Sequence, residues 1–313
     1  MSQFAQPACF IGRRHPSCSA CVDVNYPGDE QFSRRLRPHM NINKEIIASM
    51  RRQVHYAADS LLFNESAAVT YCLAISVDAG LVFASDSRTN AGVDNVNTYP
   101  KMYSFNVPEK AFVTVLTSGN LATTQAVVRR ISRDLEDPSG EGGLAACNDM
   151  SDAARYIGAL SVELKNYYEK DLKQGANFDC TLIVGGQYKD GPHEIFMVYP
   201  EGNYIQSSPY APYLQIGETK YGKPILDRVI RSNSSLEAAA RCALVSMDST
   251  MRSNLSVAPP FDLLVYETGK LEPAHVMHLK LNSPYYATLR KQWSEGLKAL
   301  FNELPLFEWE KNK

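Results

Sequence analysis

Thr70-Tyr71-Cys72-Leu73-Ala74-Ile75-Ser76-Val77-Asp78-Ala79-Gly80-Leu81-Val82-Phe83-Ala84-Ser85-Asp86-Ser87-Arg88 reads as two short strands and a turn. Thr70 to Val77 and Leu81 to Ser87 are rich in β-branched and apolar residues, and Asp78-Ala79-Gly80 between them is a turn signal. A three-residue loop sets Val77 opposite Leu81, Cys72 opposite Asp86 and Thr70 opposite Arg88, so Thr70, Cys72, Asp86 and Arg88 share one face. Thr70 and Asp86 then become diagonal neighbours about 7–8 Å apart, a gap that a third side chain can bridge. A two-residue loop would send Asp86 to the other face, because strand side chains alternate.

The pattern repeats outward from this hairpin. Lys101 to Phe105 and Ala111 to Thr117 form a second pair that turns near 106–110, leaving Lys101 and Gly119 at its open end. Val127, Ile131 and Leu135, then Ile157, Leu160 and Leu164, carry helical spacing. Strand-like runs return at Cys180–Val184, Glu194–Tyr199 and Tyr213–Ile216. Helices follow around Pro224–Ile230 and Leu236–Met247, then strands near Phe261–Tyr266 and Val276–Leu281. Ser283-Pro284 opens a last helix with Leu289, Trp293, Leu297 and Leu300 on one stripe. Helices that come in bunches disfavour a doubly wound parallel sheet. Two antiparallel sheets packed face to face, with helices outside, fit this order.

The chain has 313 residues, a formal charge of -2 and 44% hydrophobic residues, so it has the composition of an ordinary protein with a sizeable core. Such a balance offers no global attraction for nucleic acid or an anionic membrane. No apolar run approaches the roughly 18–20 residues of a membrane-spanning helix. Seven cysteines without regular spacing argue against a disulfide framework and suit a reducing cytoplasm. Cys18-Ser-Ala-Cys21 has the inner spacing of half a zinc site but no second half, so no metal and no cofactor is expected.

Several catalytic patterns are absent: His-Glu-x-x-His, a phosphate-cradling Gly loop and a Gly-x-Ser-x-Gly elbow. Beyond residue 69 the histidines are His193, His275 and His278, each in or beside a strand, which leaves little from which to build a Ser-His or Cys-His pair. This shortage of ordinary bases points to a nucleophile that carries its own. Thr70, Asp86, Lys101 and the Gly119 loop could meet at one edge of the two hairpins. Singly, each has a plain reading: a β-branched strand opener, a turn carboxylate, a surface lysine and a helix entry.

Jointly they resemble the proteasome β-subunit superfamily, and most of all its bacterial ancestral β-subunit group, Anbu. The resemblance covers about residues 70–300. It rests on Thr70 to Ala74, Ala84 to Arg88 and Thr117-Ser118-Gly119-Asn120-Leu121-Ala122. Two longer stretches, Gln215 to Arg228 and Asp248 to Ser256 running into Pro259 to Tyr266, are subfamily-specific. The resemblance implies an α+β, four-layer αββα N-terminal-nucleophile hydrolase sandwich and a threonine peptidase. Thr70 would supply the nucleophile and its own α-amine the base, Lys101 the cation, Asp86 the counter-charge and Gly119 the oxyanion N–H. Asp248 and Ser253 would support the amine, and Thr89 and Thr117 would line a side pocket. Lys101 stands one position earlier than in typical β subunits. Thr123 occupies a usually acidic position, and Gly217-Glu218-Thr219 replaces a Ser-rich loop.

The chain divides into residues 1–69, an extension of mixed Arg, Pro, His and Cys, and residues 70–313, the catalytic-type domain with its C-terminal helix. A Thr amine is useful only when nothing precedes it. Either self-cleavage removes 1–69, for which Val69 is a poor match to the usual Gly, or translation starts at 69 from a GTG codon. The second route is the expectation here. The substrate class would be peptide or unfolded protein, the assembly a homo-oligomeric ring or helix, and the location cytoplasmic, with no nucleic acid, no membrane and no ATPase docking motif to name. A small-molecule amidase or acyl-transfer enzyme and a non-catalytic scaffold are the alternatives.

Overall fold

Strand β1, Tyr71–Val77, is apolar on both faces, and a strand of that kind must be covered on both sides. The computed structural model describes residues 70–90, 96–137, 142–170 and 177–311, the side chains of 89, 90 and 96 apart. Readings made for residues 1–69, including Cys18 and Cys21, lie outside the described residues.

β1 turns into β2, Gly80–Asp86, with Val77 opposite Gly80 and Cys72 opposite Ser85. The loop therefore has two residues, and the three-residue loop with Cys72 facing Asp86 is corrected by one position. Gly80 is the cause. It belongs to the strand rather than the turn, at φ +148, where a Cβ would sit 2.0 Å from the Tyr266 carbonyl oxygen. The close approach of the neighbouring strand β11, Phe261–Glu267, requires a glycine there.

The first sheet runs β10-β1-β2-β11-β12, where β10 is Tyr213–Gly217 and β12 is Pro273–Leu279. The second runs β5-β6-β7-β8-β9: Met102–Val107, Ala111–Gly119, Cys180–Tyr188, His193–Val198 and Tyr204–Gln206. All pairings in both sheets are antiparallel. A short ribbon of β3, Arg88–Asn90, and β4, Val96–Thr98, joins β2 to β5.

Helices α1, Leu121–Glu136, α2, Gly143–Ala146, and α3, Met150–Glu169, cover the outside of the second sheet through Val127, Ile131, Leu144 and Ile157. Helices α4, Lys223–Val229, α5, Leu236–Ser253, and α6, Pro284–Asn302, cover the first through Leu226, Leu244, Met247 and Tyr286. Helix α7, Glu308–Lys311, ends the described chain. Each long helix starts as its sequence dictates: the side chains of Asn120, Asp149 and Ser235 accept N–H groups at the starts of α1, α3 and α5, and Pro284 opens α6.

Between the sheets lies a third apolar layer of Cys72, Ala74, Leu81, Phe83, Phe112, Leu116, Ile183, Leu214, Ile216 and Tyr266. Tyr71, Leu73, Ile75 and Val77 point the other way, into the α4–α6 layer. The architecture is therefore αββα, two five-stranded antiparallel sheets between helical layers.

One stripe behaves differently from its reading. On α6 only Tyr286 is fully buried and Leu289 packs against the core, while Leu297 and Leu300 are 47% and 59% exposed. Truncation should separate core from stripe. Phe83→Ala, in the inter-sheet layer, should cost about 3–5 kcal/mol in chemical denaturation. Leu297→Ala should stay within about 0.5 kcal/mol in the single chain.

Candidate active site

The two sheets meet chemically at one end, where β2 stops and β5 starts. Asp86, the last residue of β2, is fully buried, and Lys101, immediately before β5, is 5% exposed. The Lys101 ammonium donates to both carboxylate oxygens of Asp86, at 2.9 Å each, and to the carbonyl of Arg88. Asp86 Oδ1 also accepts the backbone N–H of Tyr71 at 2.9 Å. That contact explains how the site tolerates the corrected register. It runs to a backbone N–H, which lies in the plane of the sheet, so it does not depend on which face a side chain occupies.

Thr70 is the residue before that N–H, and it is 3% exposed. Cys72 and Ala74 lie in the inter-sheet layer, and alternation along β1 assigns Thr70 to the same face. Its carbonyl accepts the Glu218 N–H at 2.7 Å. Gly217, at φ +82, stands so close that a Cβ there would lie 1.9 Å from the Thr70 oxygen and 3.4 Å from Ser118 Oγ. Only glycine fits, and the geometry brings Ser118, on the second sheet, against the backbone that carries Thr70.

The Gly119 N–H can be placed by the same alternation. Thr117 N–H donates toward β5, to Lys101 O at 2.9 Å, and Asn120 N–H donates the opposite way, to Asp179 O at 2.9 Å. Gly119, two residues beyond Thr117, directs its N–H to the Lys101 side, past the start of β5. Asn120 then caps α1, its side chain accepting the Thr123 N–H at 3.1 Å. A loop with inward N–H groups at a helix start suits developing negative charge.

Electrostatics at the site are dominated by burial. Burial pushes the Asp86 carboxyl up to about 6, and the Lys101 ammonium and the Tyr71 N–H hold back a larger rise. The Cys72 thiol donates to Thr117 O at 3.7 Å; burial, with Asp86 adding to it, pushes it well above its ordinary range. A thiol held in that state is a poor nucleophile.

The other expected residues are placed as follows. Thr117 is buried, and its hydroxyl donates to the backbone carbonyl of Lys101 at 3.5 Å. Thr89 pairs with Asn97 in the β3–β4 ribbon, and its side chain lies outside the described residues. Asp248, fully buried on α5, gives its carboxylate to Arg252 at 2.9 Å and to Arg290 of α6 at 2.5 Å, a clamp between two helices. Ser253 is exposed at the end of α5.

Residues not singled out from sequence also reach the site. Glu218 holds the Thr70 carbonyl, and its own Oε2 accepts from Asn254 Nδ2 at 2.9 Å. Both lie in the stretches that carry the resemblance, but their juxtaposition depends on the pairing of β10 with β1, which hydrophobic periodicity does not reveal.

Comparison with known proteins follows this geometry. A family model described as proteasome subunit matches residues 68–263. Among solved structures, Anbu (ancestral beta-subunit) from Yersinia bercovieri is 41% identical at TM-score 0.72, covering 76% of this chain and 100% of that one. The helical assembly of the Anbu complex from Pseudomonas aeruginosa is also 41% identical at TM-score 0.72, covering 76% and 98%. Anbu from Hyphomicrobium sp. strain MC1 is 39% identical at TM-score 0.70, covering 76% and 100%. No curated protein matches.

The buried pair generates a stability prediction. Lys101→Met or Asp86→Asn alone leaves one buried partner unsatisfied and should cost about 3–5 kcal/mol. The Asp86→Asn/Lys101→Met double variant should recover much of that loss, which a double-mutant cycle measures. Folded Asp86 binds its proton more tightly than the unfolded chain does. Its contribution is therefore fullest below the unfolded carboxylate range and is lost as pH rises through about 6. That loss should steepen in Lys101→Met.

Proposed function

The chain belongs to the proteasome subunit family, on its Anbu branch, and from that premise we propose that it is a threonine peptidase with Thr70 as its N-terminal nucleophile. The observation that carries the reading is the buried Lys101–Asp86 pair, joined through the Tyr71 N–H to the residue immediately after Thr70.

With Thr70 first in the working chain, its α-amine has an unperturbed pKa of about 8 and takes the hydroxyl proton directly or through water. The hydroxyl oxygen attacks the peptide carbonyl carbon. The Gly119 N–H receives the oxyanion, and the proton passes to the departing amine as the peptide bond breaks. Water then hydrolyses the Thr70 ester and regenerates the hydroxyl. Lys101 favours the neutral amine and the deprotonated hydroxyl, and Asp86 keeps Lys101 in place without water. An oxyanion donor of this kind contributes about 3–4 kcal/mol.

The reading requires that residues 1–69 be absent from the working enzyme, by a start at position 69 or by cleavage before Thr70. Substrates are peptides or unfolded proteins, and the site is cytoplasmic. No helix among the described residues is long and apolar enough to cross a membrane.

Self-assembly is part of the same proposal. The Pseudomonas relative is described as a helical assembly, and α6 here carries Leu297, Leu300 and the 72%-exposed Phe301 as an apolar stripe without cover among the described residues.

Two measurements test the function. Intact mass of the purified protein should correspond to a chain beginning at Thr70, and Thr70→Ala should lose at least about 10²-fold in peptide hydrolysis. Turnover of small amides but not blocked peptides would favour an amidase. Equal activity of wild type and Thr70→Ala, or an active enzyme retaining residues 1–69, would end the proposal. A further check addresses assembly: Leu297→Glu/Phe301→Glu should lower native mass by light scattering while far-UV circular dichroism stays unchanged. A wild type that is monomeric throughout would contradict it.

A further inference from the structure

β1 and β10 pair with Tyr71 opposite Gly217 and Cys72 opposite Ile216, so the next step sets Thr70 opposite Glu218. The Glu218 N–H bond to Thr70 O, and the Ser76 N–H bond to Pro212 O at 2.8 Å six residues along, share one phase of the ladder. In that phase opposed residues aim their N–H groups at each other, and the backbone nitrogen of Thr70 points toward Glu218. Gly217, at φ +82, ends the regular strand, and Glu218 follows it with its N–H on the Thr70 carbonyl at 2.7 Å, so the Glu218 side chain leaves the backbone directly beside Thr70.

This carboxylate is under-compensated. Its side chain is 13% exposed. Oε2 has the amide of Asn254, itself fixed by Asn254 N–H to Thr70-distant Thr250 O at 2.8 Å and by Ser256 N–H to Asn254 Oδ1 at 3.0 Å. Oε1 is left with the Lys220 ammonium at 3.6 Å, beyond hydrogen-bond reach, on a side chain that is 77% exposed. A mostly buried carboxylate with one neutral donor, and a solvent-exposed lysine 3.6 Å away as its cation, has room for a second, closer charge. A free α-ammonium at Thr70 would supply it.

We propose that Glu218 is the positioning residue for the α-amine of Thr70, orienting it toward its own hydroxyl and raising its affinity for a proton. The proposal rests on the N-terminal-nucleophile reading. Other charged or titratable groups around the amine are Asp86 from β2, Lys101 ahead of β5, Arg88 from β3, Cys72 on β1 and Lys220 after β10. Lys101 and Arg88 favour the neutral amine, Asp86 offsets Lys101 through their mutual pair, and Glu218 pulls the other way. Its role is to hold the amine still at a modest cost in basic-form population.

The experiment compares wild type, Glu218→Gln, Glu218→Asp and Thr70→Ala, each expressed as the full chain and checked for its first residue by mass. Two readouts are taken: the pH profile of kcat/KM on a fluorogenic peptide, and the pH dependence of acylation of the Thr70 amine, followed by mass spectrometry without turnover. Glu218→Gln keeps the backbone bond to Thr70 and removes the charge. The acidic limb of both profiles should move down by about one pH unit, with a lower plateau in kcat. Glu218→Asp keeps the charge and should hold the limb near that of wild type. A residue that only shaped the loop would lower the plateau without moving either limb, and that result overturns the proposal. So does an equal displacement in the Asp and Gln variants. Activity persisting in Thr70→Ala would instead overturn the nucleophile assignment itself, so the two failures are distinct.

Discussion

An ammonium and a carboxylate removed from water must find one another, and in this fold they come from different sheets. Asp86 ends a strand of the first sheet and Lys101 precedes a strand of the second, yet they share two 2.9 Å contacts under nearly complete cover. The pair is a poor source of net stability, because taking both charges out of water costs about as much as their attraction returns. What it supplies is alignment. Breaking it would strand a charge in the interior, so the end of β2, the Arg88 carbonyl and the start of β5 are held to one arrangement. The Tyr71 N–H extends that arrangement to the residue after Thr70.

Much of the layering was legible in the residues. Dense apolar runs at Leu73–Val77 and Leu81–Ala84 demand cover on both faces, and the three-and-four spacing at Ile157, Leu160 and Leu164 supplies a covering helix. The register of the first hairpin was not legible. Asp78-Ala79-Gly80 looks like a loop until β11 is known to press on Gly80, a contact nearly two hundred residues away in sequence. The family resemblance brought Asp86 and Lys101 together where hairpin geometry alone was one residue out.

Asp248 illustrates the opposite limit. A conspicuous acid in a distinctive stretch invites a reading as support for the amine, and the partners it has in the fold, Arg252 and Arg290, tie α5 to α6. Arg252 lies one helical turn away and is visible in sequence; Arg290 comes from another helix and is not. Conversely Glu218 and Asn254 carry no pattern of their own. They gain meaning from the antiparallel pairing of β10 with β1, which only packing decides.

β1 has a neighbour on each side, β10 and β2, so the strand leading back to Thr70 runs through the middle of its sheet rather than along a rim. Backbone freedom at such a strand end is surrendered when the domain folds, not when a ligand arrives. On the proposed reading, a nucleophile mounted there would be aimed before any encounter, which lowers the entropic part of the barrier. That central position confers rigidity: the end of β1 has little slack to adjust, so a change in its geometry would have to come with a change in the whole sheet.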